Sequence, residues 1–136
     1  MNYEELKKFK ELVRKENTYE DFLFGWYFKW DKTSKTYDEV NDEIWDKIEA
    51  IKEERMKLRK SLKNGEVENV EETEKRIAEL VYESSKWKIY SEYLGEYFLE
   101  KRKKEIEKAH NEKIRKEEEL AKRIQSENLN QGLFKK

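Results

Sequence analysis

Proline is absent from all 136 residues of this chain, and only four residues are glycine. Proline breaks a helix by removing a backbone donor and crowding the preceding turn, and glycine weakens one through backbone entropy. With both nearly missing, apolar residues can recur at helical spacing over long stretches. The seam Ile44, Ile48, Ile51, Arg55, Leu58 and Leu62 advances by alternating steps of four and three residues, which is heptad spacing. Asn64-Gly65 closes it, since glycine suits the left-handed position that follows a helix. A second stripe follows from about Asn69: Val70, Thr73, Ile77, Leu80, Ser84, Trp87, Ser91, Leu94, Phe98 and Ile106.

So short a connection admits only antiparallel neighbours. The expected fold is therefore all-α: an antiparallel helical hairpin, or coiled coil, within a three- or four-helix bundle, with a long C-terminal helix extending from it. The register sets Leu62 opposite Val70, Ile51 near Val81 and Tyr37 near Gly95. Ser84, Ser91 and Gly95 are small seam residues that leave room for large partners such as Trp45. Unbroken to about Ser126, the last helix would measure roughly 85 Å at about 1.5 Å per residue.

Two shorter helices are expected before the hairpin. The first, about Tyr3 to Lys15, turns Leu6, Phe9, Leu12 and Val13 inward and ends at Asn17-Thr18. Thr18 with Asp21 is a variant capping box that opens the second, about Tyr19 to Trp30. Tyr19, Phe22, Leu23, Trp26, Tyr27 and Trp30 share one face of that helix, and Phe24 and Phe28 supply another, so it should be covered on both sides. The stripe Tyr90, Tyr93 and Tyr97 is placed to receive Trp26 and Trp30. Residues 31–35 read as a polar loop, and Thr36 with Glu39 forms the capping box of the third helix.

Composition pulls in two directions: 46% of residues are charged, which favours disorder or coiled coil, yet 13% are aromatic, which does not. Uneven distribution reconciles them. Residues 1–99 form a helical bundle with an aromatic core, 100–127 a charged helical extension and 128–136 a flexible tail. In the extension, Lys101, Glu105, Lys108, Glu112, Arg115, Glu119 and Lys122 alternate in sign at steps of four and three, so each neighbour is within helical reach of its opposite. A thin stripe lies opposite: Ile106, His110, Ile114, Ala121 and Ile124.

Basic and acidic residues number 31 and 32, so no global field draws the chain to nucleic acid or an acidic membrane. Without cysteine there is no disulfide, thiolate nucleophile or cysteine metal site. The first residues lack a basic and then apolar leader, and no apolar run approaches the roughly 20 residues of a membrane span. The expected compartment is the cytoplasm.

Candidate sites are few. Glu107 and His110 have the spacing of two metal ligands on one helical face, but a di-iron bundle needs that motif twice and His110 is the lone histidine. A seam or surface histidine is the plainer reading, and no cofactor or metal is expected. Lys101, Arg102, Lys103, Lys104 and Lys108 form the one concentrated basic run, within a segment (101–136) of 12 basic and 7 acidic residues. They are candidate phosphate contacts, with Glu105 and Glu107 beside them arguing for a solvated flank. Asp38, Asp42 and Asp46 stand at successive turns of the third helix. They either mimic phosphates toward a basic partner or complement the helix dipole. Gln131-Gly132-Leu133-Phe134 resembles the Leu-Phe-ended peptides that bind replication sliding clamps, one residue short of their spacing. No nucleophile elbow, Gly-rich phosphate loop or dinucleotide fingerprint occurs, so no enzyme activity is expected.

The leading functional expectation is a non-catalytic protein–protein interaction protein of inhibitor or adaptor type. Its partner surface would be Ile106, His110, Ile114, Ala121 and Ile124, or the acidic Asp38, Asp42 and Asp46. The alternative is a nucleic-acid-associated or virion structural protein that uses the basic segment 101–108. A homodimer through the long helix is a third arrangement. Small size, a Lys/Glu-rich composition and the lack of catalytic chemistry resemble accessory proteins of viruses and mobile elements.

Overall fold

The computed structural model describes residues 2–134, with the side chains of residues 2–128. The elements are α1 (Tyr3–Glu16), α2 (Tyr19–Phe22), a π-turn (Leu23–Tyr27), a 3-10 turn (Lys32–Ser34), α3 (Tyr37–Lys63) and α4 (Val70–Phe134). The protein is all-α, with no strand among the described residues. It divides into two units, Met1–Tyr97 and Phe98–Lys136.

Helix ends in the first unit follow local chemistry. The Asn2 side chain accepts from the Glu5 N–H at 2.9 Å and starts α1. Thr18 and Asp21 form the full reciprocal box at α2: Asp21 N–H donates to Thr18 Oγ1 at 3.2 Å, and Thr18 N–H to Asp21 Oδ2 at 3.1 Å. At α3, Thr36 Oγ1 accepts from the Glu39 N–H, but the Glu39 carboxylate accepts from the Thr36 hydroxyl rather than its N–H. The hairpin turn is a Schellman motif. Gly65 takes a left-handed φ of 69°, its N–H reaches the Leu62 carbonyl, and the Glu66 N–H reaches the Ser61 carbonyl. Asn69 then caps α4 through the Glu72 N–H at 3.2 Å.

Val40, Ile44, Ile48 and Ile51 bury one face of α3, and Leu80, Ile89, Tyr90 and Leu94 are buried on α4. The two helices are antiparallel in the register expected of them. The offset that pairs Ile51 with Val81 also pairs Asn41 with Ser91, and the Ser91 hydroxyl donates to Asn41 Oδ1 at 3.0 Å. Nearer the turn, Glu54 accepts two hydrogen bonds from Arg76, at 3.1 and 3.3 Å.

The second layer is aromatic. Phe22, fully buried, lies 5.3 Å from Tyr90 and 6.1 Å from Tyr93, ring centre to ring centre. Trp26 meets Trp87 edge-on at 5.1 Å, and Tyr27 reaches Tyr97 at 4.9 Å. Such pairs contribute about 0.5–1.5 kcal/mol each beyond the area they bury. A polar clasp anchors the α1–α2 corner to the same helix. The buried Asn17 amide donates to the Val13 carbonyl and the Tyr82 hydroxyl, while the Tyr93 hydroxyl donates to the Asn17 carbonyl at 2.9 Å.

Several expectations for individual side chains are corrected. The second helix is α-helical only to Phe22. From Leu23 it widens into a π-turn, in which the Phe28 N–H reaches the Leu23 carbonyl at 2.7 Å. The wider turn carries Tyr27 fully inward beside Trp26, and the helix ends there, with residues 28–31 in a turn. Trp30 therefore does not dock on α4; it is 64% exposed, and so is 68% of Phe24. Phe24 meets Phe28 at 5.6 Å with tilted rings, and Phe28, partly covered, also meets Tyr97 edge-on at 6.1 Å. Leu6 and Leu12 are half-exposed, and Val13 alone is buried on α1.

Trp45 does not fill the space beside the small seam residues, because it stands one position off the seam and faces outward. Gly95 meets no neighbour: nothing lies within 4 Å of where a Cβ would sit.

The loop after the π-turn is not merely polar. Asp31 adopts a left-handed φ of 50°, a conformation that Asp tolerates better than most residues, and the chain then folds Lys32 into the core. Lys32 is 3% exposed, with its ammonium 3.1 Å from the Trp26 ring centre and 3.2 Å from Glu43 Oε1. Burial holds its pKa below the usual lysine range, and the Glu43 carboxylate partly offsets that.

Gly95→Ala is expected to raise stability by about 1 kcal/mol, since alanine is the better helix former and its methyl meets open space. Paired thermal melts check this. A second expectation concerns alkali. Burial pushes the Tyr27 phenol up to about 12, with Tyr97 adding to the shift, and burial also raises Tyr90 and Tyr93. An acid raised on folding contributes stability that is whole below its ordinary value of 10.0 and lost as pH climbs toward about 12. Lys32 has the opposite sign: its amine is lowered on folding, so stability gains as pH rises toward 10.5. Denaturant unfolding at stepped pH should show the steepest loss above 10.5, and Tyr27→Phe should flatten it.

Candidate interaction surfaces

Residues 99–128 are exposed at every position. They lie within α4, so their azimuths follow from about 3.6 residues per turn. Ile106 and Ile124, five whole turns apart, fall on one line. Leu99 and His110 lie close to that line, Ile114 and Ala121 trail on one side, and Leu120 leads on the other. The sequence-predicted stripe is thus one continuous face of this unit, and its apolar members remain open. Leu99, Ile106, Leu120 and Ile124 are between 49% and 60% exposed, and Ile114 is 39% exposed. Leu99 and Leu120 were not singled out by sequence, although Leu99, Ile106 and Leu120 recur at heptad multiples and so carried a signal.

The basic run does not stay together. Lys101, Lys104 and Lys108 stand at i, i+3 and i+7, on the side opposite the apolar stripe, whereas Arg102 and Lys103 fall on its two flanks. Among the described residues the alternating charges from Lys101 to Lys122 form no ion pair within 4.0 Å. Exposed helical pairs are worth only a few tenths of a kcal/mol, which ordering two long side chains offsets. Glu107 and His110 are both exposed. No group of three or more His, Cys, Asp or Glu side chains able to hold a metal gathers among the described residues.

A second surface lies on α3. Asp38, Asp42 and Asp46 are all exposed, stacked at successive turns with Glu49 continuing the line, and none makes an ion pair with a described residue. Trp45, 43% exposed, sits among them, and Met56 lies further along the same face. This face is turned away from the Val40–Ile44–Ile48–Ile51 core. Residue type alone assigns its tryptophan to the core, and the structure places it outside. The spacing held the clue: Trp45 is out of phase with the isoleucines and in phase with the aspartates. Glu43, in the same acidic stretch, is turned elsewhere and neutralises Lys32 and Lys35.

The backbone of α4 is helical to Phe134, while the side chains of Gln131, Gly132, Leu133 and Phe134, which carry the clamp-peptide resemblance, lie outside those described. No helix among the described residues is long and apolar enough to cross a membrane. Against known proteins, the chain matches no family model, no curated protein sequence and no solved structure.

Proposed function

We propose that this protein is a non-catalytic interaction protein, an inhibitor or adaptor that presents the apolar stripe of residues 99–124 to a protein partner in the cytoplasm. The observation that supports this reading is the exposure of Leu99, Ile106, Ile114, Leu120 and Ile124 along one helical face with no covering residue among 98–128. An apolar stripe on an otherwise charged helix is the arrangement read by partners with a hydrophobic groove, through anchors at helical spacing. Full burial of one such side chain is worth about 1.5–3 kcal/mol, so completing the burial of several half-exposed ones supplies a specific affinity. The flanking charges would set orientation and encounter rate more than strength.

Replacing Ile106, Ile114 and Ile124 together with Lys tests this directly. The expected result is loss of proteins that the wild-type full chain captures, with the far-ultraviolet circular dichroism and melting of the remainder unchanged. A captured protein, once purified, should bind the wild type and fail to bind the triple variant. Retention of every captured protein by the triple variant, together with an unchanged molar mass in light scattering, rejects the reading. A mass that falls from dimer to monomer identifies the partner as a second copy.

One observation favours nucleic acid as a second reading: Lys101, Lys104 and Lys108 share a face and make no ion pair. Three phosphate contacts would give a log–log salt slope of about −2 to −3 in filter binding. A slope near zero, or no binding at low salt, removes this alternative.

A further inference from the structure

Arg55 occupies a position in the inward seam of α3 where heptad packing calls for an apolar side chain. Its Nε is buried and has no hydrogen-bond partner, and the guanidinium makes no ion pair with a described residue. A buried donor left in this state forfeits its hydration without recompense. The surroundings indicate what would satisfy it. Arg55 lines a cleft of about 440 Å³ between α1, α3 and α4, a volume within the range of small-molecule sites. Lys10, Arg14 and Lys88 also line it, against the single carboxylate of Glu92, which Arg14 already holds in an ion pair. The buried Ser84 adds a hydroxyl, and Phe9 and Ile89 form an apolar wall.

Three further cations around a guanidinium whose Nε is unsatisfied select an anion, and the apolar wall selects one that carries hydrocarbon. A bare inorganic anion would leave the half-exposed Leu6 and part of Phe9 in water, and a neutral hydrocarbon would leave the Arg55 Nε unpaired. We propose that this cleft binds an amphipathic carboxylate, of the class of a medium-chain fatty acid, with its head group on Arg55 and its chain along Phe9 and Ile89. Arg55 would then hold the carboxylate by charge-assisted hydrogen bonds, the strongest class available to it. The site lies entirely within Met1–Tyr97 and does not depend on the helical stripe of the function proposed above.

Calorimetric titration of the full chain with decanoate, decanol and inorganic phosphate, each separately, tests the proposal. Decanoate is expected to bind saturably at one equivalent, and decanol and phosphate at least tenfold more weakly. Arg55→Gln should weaken decanoate binding by about ten- to a hundredfold. Because a seam substitution can disturb folding, Lys88→Glu at the exposed rim is the companion variant. It should weaken binding while leaving the circular dichroism and melting curve unchanged. The proposal is overturned by the absence of saturable decanoate binding. It is equally overturned by decanol or phosphate binding as tightly as decanoate, or by both variants binding as the wild type does.

Discussion

The first unit depends on the docking of one short aromatic segment, Phe22 to Tyr27, against the tyrosine stripe of α4. Two antiparallel helices alone bury only the stripe between them. The isoleucine seam of α3 provides that, but Tyr90, Tyr93 and Tyr97 lie to one side of it and need separate cover. Phe22, Trp26 and Tyr27 supply that cover in fewer than two turns of chain. The π-turn makes this possible. A regular α-helix would place Trp26 and Trp30 on the same side, whereas the wider turn brings the adjacent Trp26 and Tyr27 inward together. The structural cost is visible at Phe24 within the turn and Trp30 beyond it, which are left outside.

Polar groups complete this docking rather than merely tolerating it. Lys32 closes the end of the aromatic layer with its ammonium over the Trp26 ring and against Glu43. A cation so deeply buried is stable only when paired, and here a ring face and a carboxylate share the task. Asn17 does the equivalent at the other end by satisfying its amide and carbonyl on two tyrosines of α4. The π-turn segment is thus held from both sides by hydrogen-bonded or charged contacts, whose geometry is less forgiving than apolar packing.

The outer surfaces follow different rules. On α3 the acidic line and Trp45 share the face left over once the isoleucines turn inward, so its position is a by-product of heptad phase. Along residues 99–128 no such opposition operates, and both the apolar and the basic faces remain open. Persistence of the helix there rests on good helix formers and the absence of breakers rather than on burial. That distinction explains why the alternating charges need no close contact: helical propensity carries the segment, and the side chains remain in water.

Much of this was legible in the sequence. The all-α fold, the hairpin turn at Gly65, the caps at Thr18 and Thr36 and the register of α3 on α4 all arise from periodicity and local backbone chemistry, which act over a few residues. The exposed stripe from Ile106 to Ile124 was legible for the same reason, since one helix maps sequence spacing directly onto a face. What periodicity did not reveal was where that mapping changes. The second helix ended with the π-turn at Tyr27 and left Trp30 outside, Lys32 entered the core from what read as loop, and Trp45 fell outside a seam to which its size suggested it belonged. The absence of proline and the heptad spacing determined that this chain would be a long helical hairpin. Only the tertiary structure decided which aromatics became core and which became surface, and that the Nε of Arg55 would be buried without a partner beside a cleft. Those outcomes depend on how several helices share one limited volume, and that competition is not encoded in the spacing of any one of them.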